Sequence, residues 1–288
     1  MNYEEQPIAF SCREDTLIGI LSMPERPLPR AVLIIVGGPQ YRAGSHRQFV
    51  LLSRVFAAQG YPVMRFDYRG MGDSEGEPRN FERIAEDIRG AIDSLIASAP
   101  CVKEVVLWGL CDGASAATLY AAEEARVAGL VLVNPWWRSE EGEAKALLAH
   151  YYQSRLRDAQ FWKKIARGGV DFGSAARSFW TTLRNAYRAP EEAAANAPTL
   201  PERMYHALSR FKGGTLLILS ENDLTAQECA HIISASPGWQ ALIEQGRIER
   251  QILAGANHTF SRRLWRDQVA TWTLDWLGRP QHPAADRR

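Results

Sequence analysis

Val105-Val106-Leu107-Trp108 leads into Gly109-Leu110-Cys111-Asp112-Gly113, and Ala114-Ser115-Ala116-Ala117 follows directly. An apolar run that breaks at paired glycines and resumes as small helix formers reads as strand, tight turn and helix. Few folds admit that unit. Strand and helix must nearly touch at the corner, so the residues flanking the turn carry no side chain, and the residue at the apex projects clear of the sheet. The apex here is a cysteine, and a helix N-terminus beside it favours a thiolate. The plain alternative is a packing cysteine, since buried cysteines behave as small apolar side chains.

The rest of the chain supplies the sheet that such a corner requires. Ala31–Val36, Tyr61–Asp67, Lys103–Trp108, Gly129–Asn134, Gly214–Leu219 and Arg250–Leu253 read as strands, several apolar throughout. Continuous apolar strands suit a parallel sheet covered on both faces. Helical spacing separates them at Ser45–Gln59, Phe81–Ser98, from the cysteine turn to about Ala125, at Ala226–Ser236 and at Phe260–Leu277. Pro7–Cys12 and Thr16–Ser22 form an expected lead-in hairpin, with Arg13-Glu14-Asp15 as its turn. The fold class is α/β: a mostly parallel central sheet with helices on both faces.

The rhythm breaks from Pro135 to about Arg210, where no strand is evident and aromatic residues are frequent. We expect a core domain of residues 1–134 and 211–288, interrupted by a helical cap of residues 135–210 over the carboxyl edge of the sheet. A near-neutral balance of 34 basic and 33 acidic residues offers no basic face for nucleic acid. No apolar run approaches the roughly 20 residues that span a bilayer. The opening Met-Asn-Tyr-Glu-Glu-Gln lacks a secretory pattern, so a cytoplasmic protein is expected. Cys12, Cys101, Cys111 and Cys229 form no Cys-x-x-Cys pair, so no structural metal is expected, and no cofactor motif is present. The glycine-rich loop Asp67–Gly76 lacks the residues of a nucleotide loop, and Asp67 and Asp73 read as loop-shaping.

Three residues stand just beyond the ends of expected strands, in the order Cys111, Asp223, His258. Parallel strands end on one edge, so the three can converge although distant in sequence. A thiol, an imidazole and a carboxylate are the types that nucleophilic acyl chemistry needs: attack, proton transfer, and a group that holds the imidazole. Glu221 is the rival acid, nearer the strand end. The backbone N–H groups of Asp112 and Gly38 are the candidate oxyanion donors, because Pro39 has no N–H to give. Gln40, His46 and Trp136 are candidates for substrate contact.

This pattern resembles the α/β-hydrolase superfamily over nearly the whole chain. Gly37-Gly38-Pro39, Asp67–Ser74, the Gly-x-Cys-x-Gly corner, Asp223 and Gly255-Ala256-Asn257-His258 fall in family order. More narrowly, Gly37–Arg42 with Ser45–Phe49, the corner, and His258–Arg263 resemble the exosortase A system-associated hydrolases of type 1. That resemblance implies a setting of exopolysaccharide synthesis and protein sorting, without a substrate. Two positions depart from it: Val36 stands where many relatives carry His, and Cys111 stands where Ser is commoner. Cysteine versions of the fold include dienelactone hydrolases and polyhydroxyalkanoate synthases. The expected activity is hydrolysis or acyl transfer on an ester or thioester through an acyl-cysteine. The substrate would be a small-molecule or carrier-bound acyl compound, and a homodimer is compatible with the sequence. The alternatives are a non-catalytic binding or scaffold protein that keeps the corner as a relic, and a redox sensor at Cys111.

Overall fold

The computed structural model describes residues 1–38, 40–138 and 198–279. Among these residues eight strands form one sheet. They are β1 (Tyr3–Cys12), β2 (Asp15–Pro24), β3 (Arg30–Ile35), β4 (Val63–Phe66), β5 (Glu104–Leu110), β6 (Val127–Val133), β7 (Gly214–Ser220) and β8 (Ile248–Leu253). Their order across the sheet is β1-β2-β4-β3-β5-β6-β7-β8. The β1–β2 hairpin and the β2–β4 pair are antiparallel, and every later pair is parallel. The helices are α1 (Gln48–Ala58), α2 (Ala85–Ser98), α3 (Asp112–Ala121), α4 (Leu200–Arg210), α5 (Leu224–Ala235), α6 (Pro237–Glu244) and α7 (Arg263–Leu277).

Residues 31–35 of β3 are wholly buried, as are residues 105–110 of β5. Each such Val, Leu or Ile contributes roughly 1.5–3 kcal/mol relative to an exposed position. Register decides which helix each one meets. Trp108 aligns with Ile34 and Val131, so these three share a face. On that face Phe49 of α1 meets Trp108 edge-on at 5.8 Å, and α1 packs against α7. The opposite face, through Gly109, lies against α3, which packs with α2. Helices therefore cover both faces, and the parallel strands deliver their carboxyl ends to one edge.

Element boundaries differ from expectation where hydrophobic pattern was a poor guide. The hairpin extends to Tyr3, where β1 pairs its backbone with β2 and Glu5 accepts from the Arg54 and Arg65 guanidinium groups. Helix α3 stops at Ala121, short of Ala125: Glu124 accepts from the Arg126 N–H and guanidinium, drawing the chain into β6. Helix α1 starts at Gln48 because His46 and Arg47 have φ of 53° and 59°. Helix α7 starts at Arg263, and Phe260 has φ of 49°. The eight-residue α6 is not evident in the sequence, since it opens Pro-Gly and reads as a turn; it buries Trp239 and Leu242.

The chain divides by its internal contacts into Met1–Trp137 with Arg203–Arg288, and Arg138–Glu202. Most of the expected cap, residues 135–210, lies outside the described residues. Of that stretch, residues 135–138 continue from β6 and Leu200–Arg210 form α4. No described helix is long and apolar enough to cross a membrane.

Candidate active site

The corner after β5 has the geometry its composition demands. Cys111 sits at φ 59°, ψ −127°, a conformation that side-chain-bearing residues resist. A methyl group at Gly109 would lie 2.5 Å from the carbonyl of Gly113, and one at Gly113 would lie 2.5 Å from the carbonyl of Ile35. Either contact would force the helix off the sheet, so both positions exclude alanine. The backbone then locks the turn. The Cys111 N–H donates to Val133 at 2.9 Å, while its carbonyl accepts from Ala114 at 3.0 Å and Trp136 at 3.2 Å. Helix α3 begins at Asp112, immediately after the cysteine. Cys111 is partly exposed.

The other cysteines are chemically distinct. Cys12 and Cys229 are buried and carry free thiols, and Cys101 is exposed. Burial raises the Cys12 thiol, and it pushes that of Cys229 up to about 12.

Asp223 and His258 meet. His258 Nδ1 lies 2.8 Å from Asp223 Oδ2, with the carboxylate buried and the ring about one-third exposed. Asp223 also caps α5, accepting from the N–H groups of Thr225 and Ala226. The carboxylate is therefore held from two sides, and it fixes the imidazole at Nδ1 so that Nε2 is the nitrogen left for chemistry. The rival acid, Glu221, does other work: it is exposed and accepts from the Gly255 N–H at 2.7 Å, shaping the turn before the histidine.

The remaining candidates lie on the segments that follow β3, β5 and β6. Gly38 follows β3 with φ of 58°, and Asp112 opens α3. Gln40 uses its side-chain oxygen to accept from Ser45 at 3.2 Å, which commits that atom to loop structure. His46 lies in a single 3₁₀ turn, Ser45–Arg47. Trp136 is joined to the corner by its backbone: its N–H reaches Cys111, and its carbonyl accepts from Ser115 Oγ. Asp67 is fully buried and accepts from the Arg42 N–H at 2.6 Å, from the Arg42 guanidinium and from the Asp73 N–H. It welds the segment after β3 to its own loop. Among the described residues no group of three His, Cys, Asp or Glu side chains could hold a metal ion.

Two residues escaped the sequence reading. Asn134 directly follows β6 and Ser220 ends β7; both are buried, and they bond to each other and to the loop carrying His258. The available signal was a polar residue at the carboxyl end of an apolar run.

Comparison with known proteins follows this geometry. A model described as the alpha/beta hydrolase family matches residues 32–272. The polyketide transferase grgF of Penicillium sp is 35% identical over 89 residues, which are 29% of this chain and 30% of that protein. The quorum-quenching protein AidA of Acinetobacter baumannii is 38% identical over 87 residues, 28% of each. The matched segments thus span about a third or less of these curated relatives. Among solved structures, an esterase of Pyrococcus furiosus superposes with a TM-score of 0.64 over 96% of this chain and 92% of its own, at 15% identity. The crystal structure of GrgF from Penicillium sp superposes at 0.59 over 95% of this chain and 98% of its own, at 20% identity. At such identities the superpositions speak to the fold.

Proposed function

Since this chain belongs to the alpha/beta hydrolase family, we propose that it is a hydrolase or acyltransferase that cleaves an ester or thioester through an acyl-cysteine on Cys111. The observation that carries this reading is the 2.8 Å contact of His258 Nδ1 with Asp223, on the same sheet edge as a strained Cys111 turn at the start of α3. The esterase and transferase activities of the similar proteins support acyl chemistry as the class.

The reaction follows from the groups. His258 Nε2 takes the thiol proton, and the sulfur attacks the acyl carbon, forming a carbon–sulfur bond as the carbonyl electron pair moves to oxygen. The N–H groups of Asp112 and Gly38 would receive that oxyanion, an interaction often worth about 3 kcal/mol of barrier. Collapse expels the alkoxide or thiolate, which takes the proton from His258. Water or another acceptor then gives its proton to His258 and attacks the acyl-cysteine, and the sulfur leaves and regains a proton. Asp223 holds the Nδ1–H tautomer and steadies the imidazolium between these steps. The core of residues 1–134 and 211–288 would bear this chemistry, with residues 135–210 as its cap. The substrate would be a small-molecule or carrier-bound acyl compound. The type 1 exosortase-associated resemblance of Gly37–Arg42 and His258–Arg263 supports a role beside exopolysaccharide synthesis, in a cytoplasm where the thiols of Cys12, Cys101 and Cys229 stay reduced.

The test is the pH dependence of iodoacetamide labelling at each cysteine, read by mass spectrometry, for wild type and His258→Ala. Fast labelling of Cys111 below about pH 8 that vanishes without His258 is the expected outcome. Cys229, with its thiol pushed up to about 12, is the internal control. A Cys111 that labels identically in both proteins would overturn the acyl-cysteine mechanism and bring the binding-protein reading forward.

A further inference from the structure

The bonds around Asn134 can be oriented without ambiguity. Its Oδ1 accepts from the Ser220 N–H at 2.8 Å, so its Nδ2 is the donor to Ser220 Oγ at 2.9 Å and to the His258 carbonyl at 3.0 Å. Ser220 Oγ, having accepted from Asn134, donates to the Asn257 carbonyl at 3.1 Å. Every member has a partner of the correct sense, and both side chains are essentially inaccessible to water. Two consecutive carbonyls of the histidine loop, those of residues 257 and 258, are thereby hung from the ends of β6 and β7.

The same segment grips the other half of the site. Asn134 has φ of 43° and donates its own N–H to Ile218, and two residues on, Trp136 donates to the Cys111 carbonyl. Asp223 orients the His258 ring but leaves the height of its main chain above the sheet undetermined. Glu221 and Asn222 hold Gly255 and Ala256 at the start of that loop, and the Asn134–Ser220 pair holds the next two carbonyls and references them to the turn bearing the sulfur.

We propose that Asn134 and Ser220 are positioning residues: they hold the main chain of His258 at a fixed distance from the Cys111 turn, so that Nε2 meets the sulfur. This rests on the acyl-cysteine reading above. Both side chains are buried, and neither bonds to Asp223 or to the His258 ring. Misplacement of a reacting group by about 1 Å can lower a rate about a hundredfold.

The experiment compares Ser220→Ala, Asn134→Ala and the hydroxyl-retaining Ser220→Thr with wild type and His258→Ala. Each variant is first checked for native circular dichroism. The readouts are the midpoint pH of Cys111 alkylation, and kcat and KM on a p-nitrophenyl or thiophenyl ester probe. Ser220→Ala is expected to move the alkylation midpoint toward that of His258→Ala and to lower kcat about tenfold or more with KM nearly unchanged. Asn134→Ala should do so more strongly, and Ser220→Thr should recover most of the loss. A merely structural role would lower melting temperature and leave the alkylation profile of the folded protein in place. Should Asn134→Ala fail to fold, Ser220→Ala decides. If wild type and His258→Ala differ while Ser220→Ala keeps the wild-type midpoint and kcat, the positioning role is wrong and the acyl-cysteine reading stands. If wild type and His258→Ala share one profile, both are wrong.

Discussion

At Cys111 the chain reverses within a few residues of its own sequence, whereas at His258 it is held by residues that lie 35 and 124 positions away. The cysteine turn is shaped first by neighbours, with Gly109 and Gly113 leaving room for the close approach and Ala114 donating back to the Cys111 carbonyl, and Val133 and Trp136 add backbone bonds from the strand end beside it. The histidine loop has few such local supports. Asn257 bonds to Ser261 and its carbonyl accepts from the Phe260 N–H, but that carbonyl, the carbonyl of His258 and the Gly255 N–H also go to Ser220, Asn134 and Glu221 at the ends of other strands. A locally built turn concentrates strain at one residue and tolerates no side chain beside it. A remotely held loop is an ordinary stretch of chain whose geometry is only as good as the sheet edge beneath it.

Substitutions can separate the two. The largest effect is expected at the sulfur: Cys111→Ala should lower turnover of an activated ester by about four orders of magnitude or more without loss of fold, measured by initial rates and circular dichroism. Asp223→Asn keeps a group of the same shape but favours the wrong imidazole tautomer, and a fall in kcat of about a thousandfold or more is expected. Gly109→Ala tests the local side: a methyl group 2.5 Å from the backbone of α3 should lower stability by at least about 3 kcal/mol in urea unfolding. Asn134→Ala tests the remote side, where loss of buried partners should lower stability by roughly 1–3 kcal/mol and speed amide hydrogen exchange across residues 257–261 while the Cys111 turn stays protected. Faster exchange at both turns would show that the two are one cooperative unit rather than a local and a remote support. The smallest effect is expected from Glu221→Gln, which keeps an acceptor for Gly255 on an exposed side chain, and kcat should change less than about threefold.

Much of the fold was legible in residue order because its causes are local. Apolar runs such as Ala31–Val36 can be satisfied only by burial on both faces, and their alternation with amphipathic helices admits few architectures but a parallel sheet. Helix ends were less legible. Arg47 and Phe260 look helix-compatible until their left-handed φ is imposed by the loops they join, and the halt of α3 depends on Glu124 meeting Arg126.

The sequence by itself pointed to the cysteine corner, since glycines on either side of Cys111, between an apolar run and small helix formers, leave the room that a strand and a helix need to meet there. It also named Asp223 and His258, because both follow strands that must end on the same edge. Only the tertiary structure shows Glu221 turned to the Gly255 N–H, the Gln40 side-chain oxygen accepting from Ser45, and Asn134 and Ser220 bonded to the loop of His258. Those choices depend on distances between strand ends that are set by sheet order and register. No residue along the chain encodes its neighbour across the sheet until β6, β7 and β8 lie side by side.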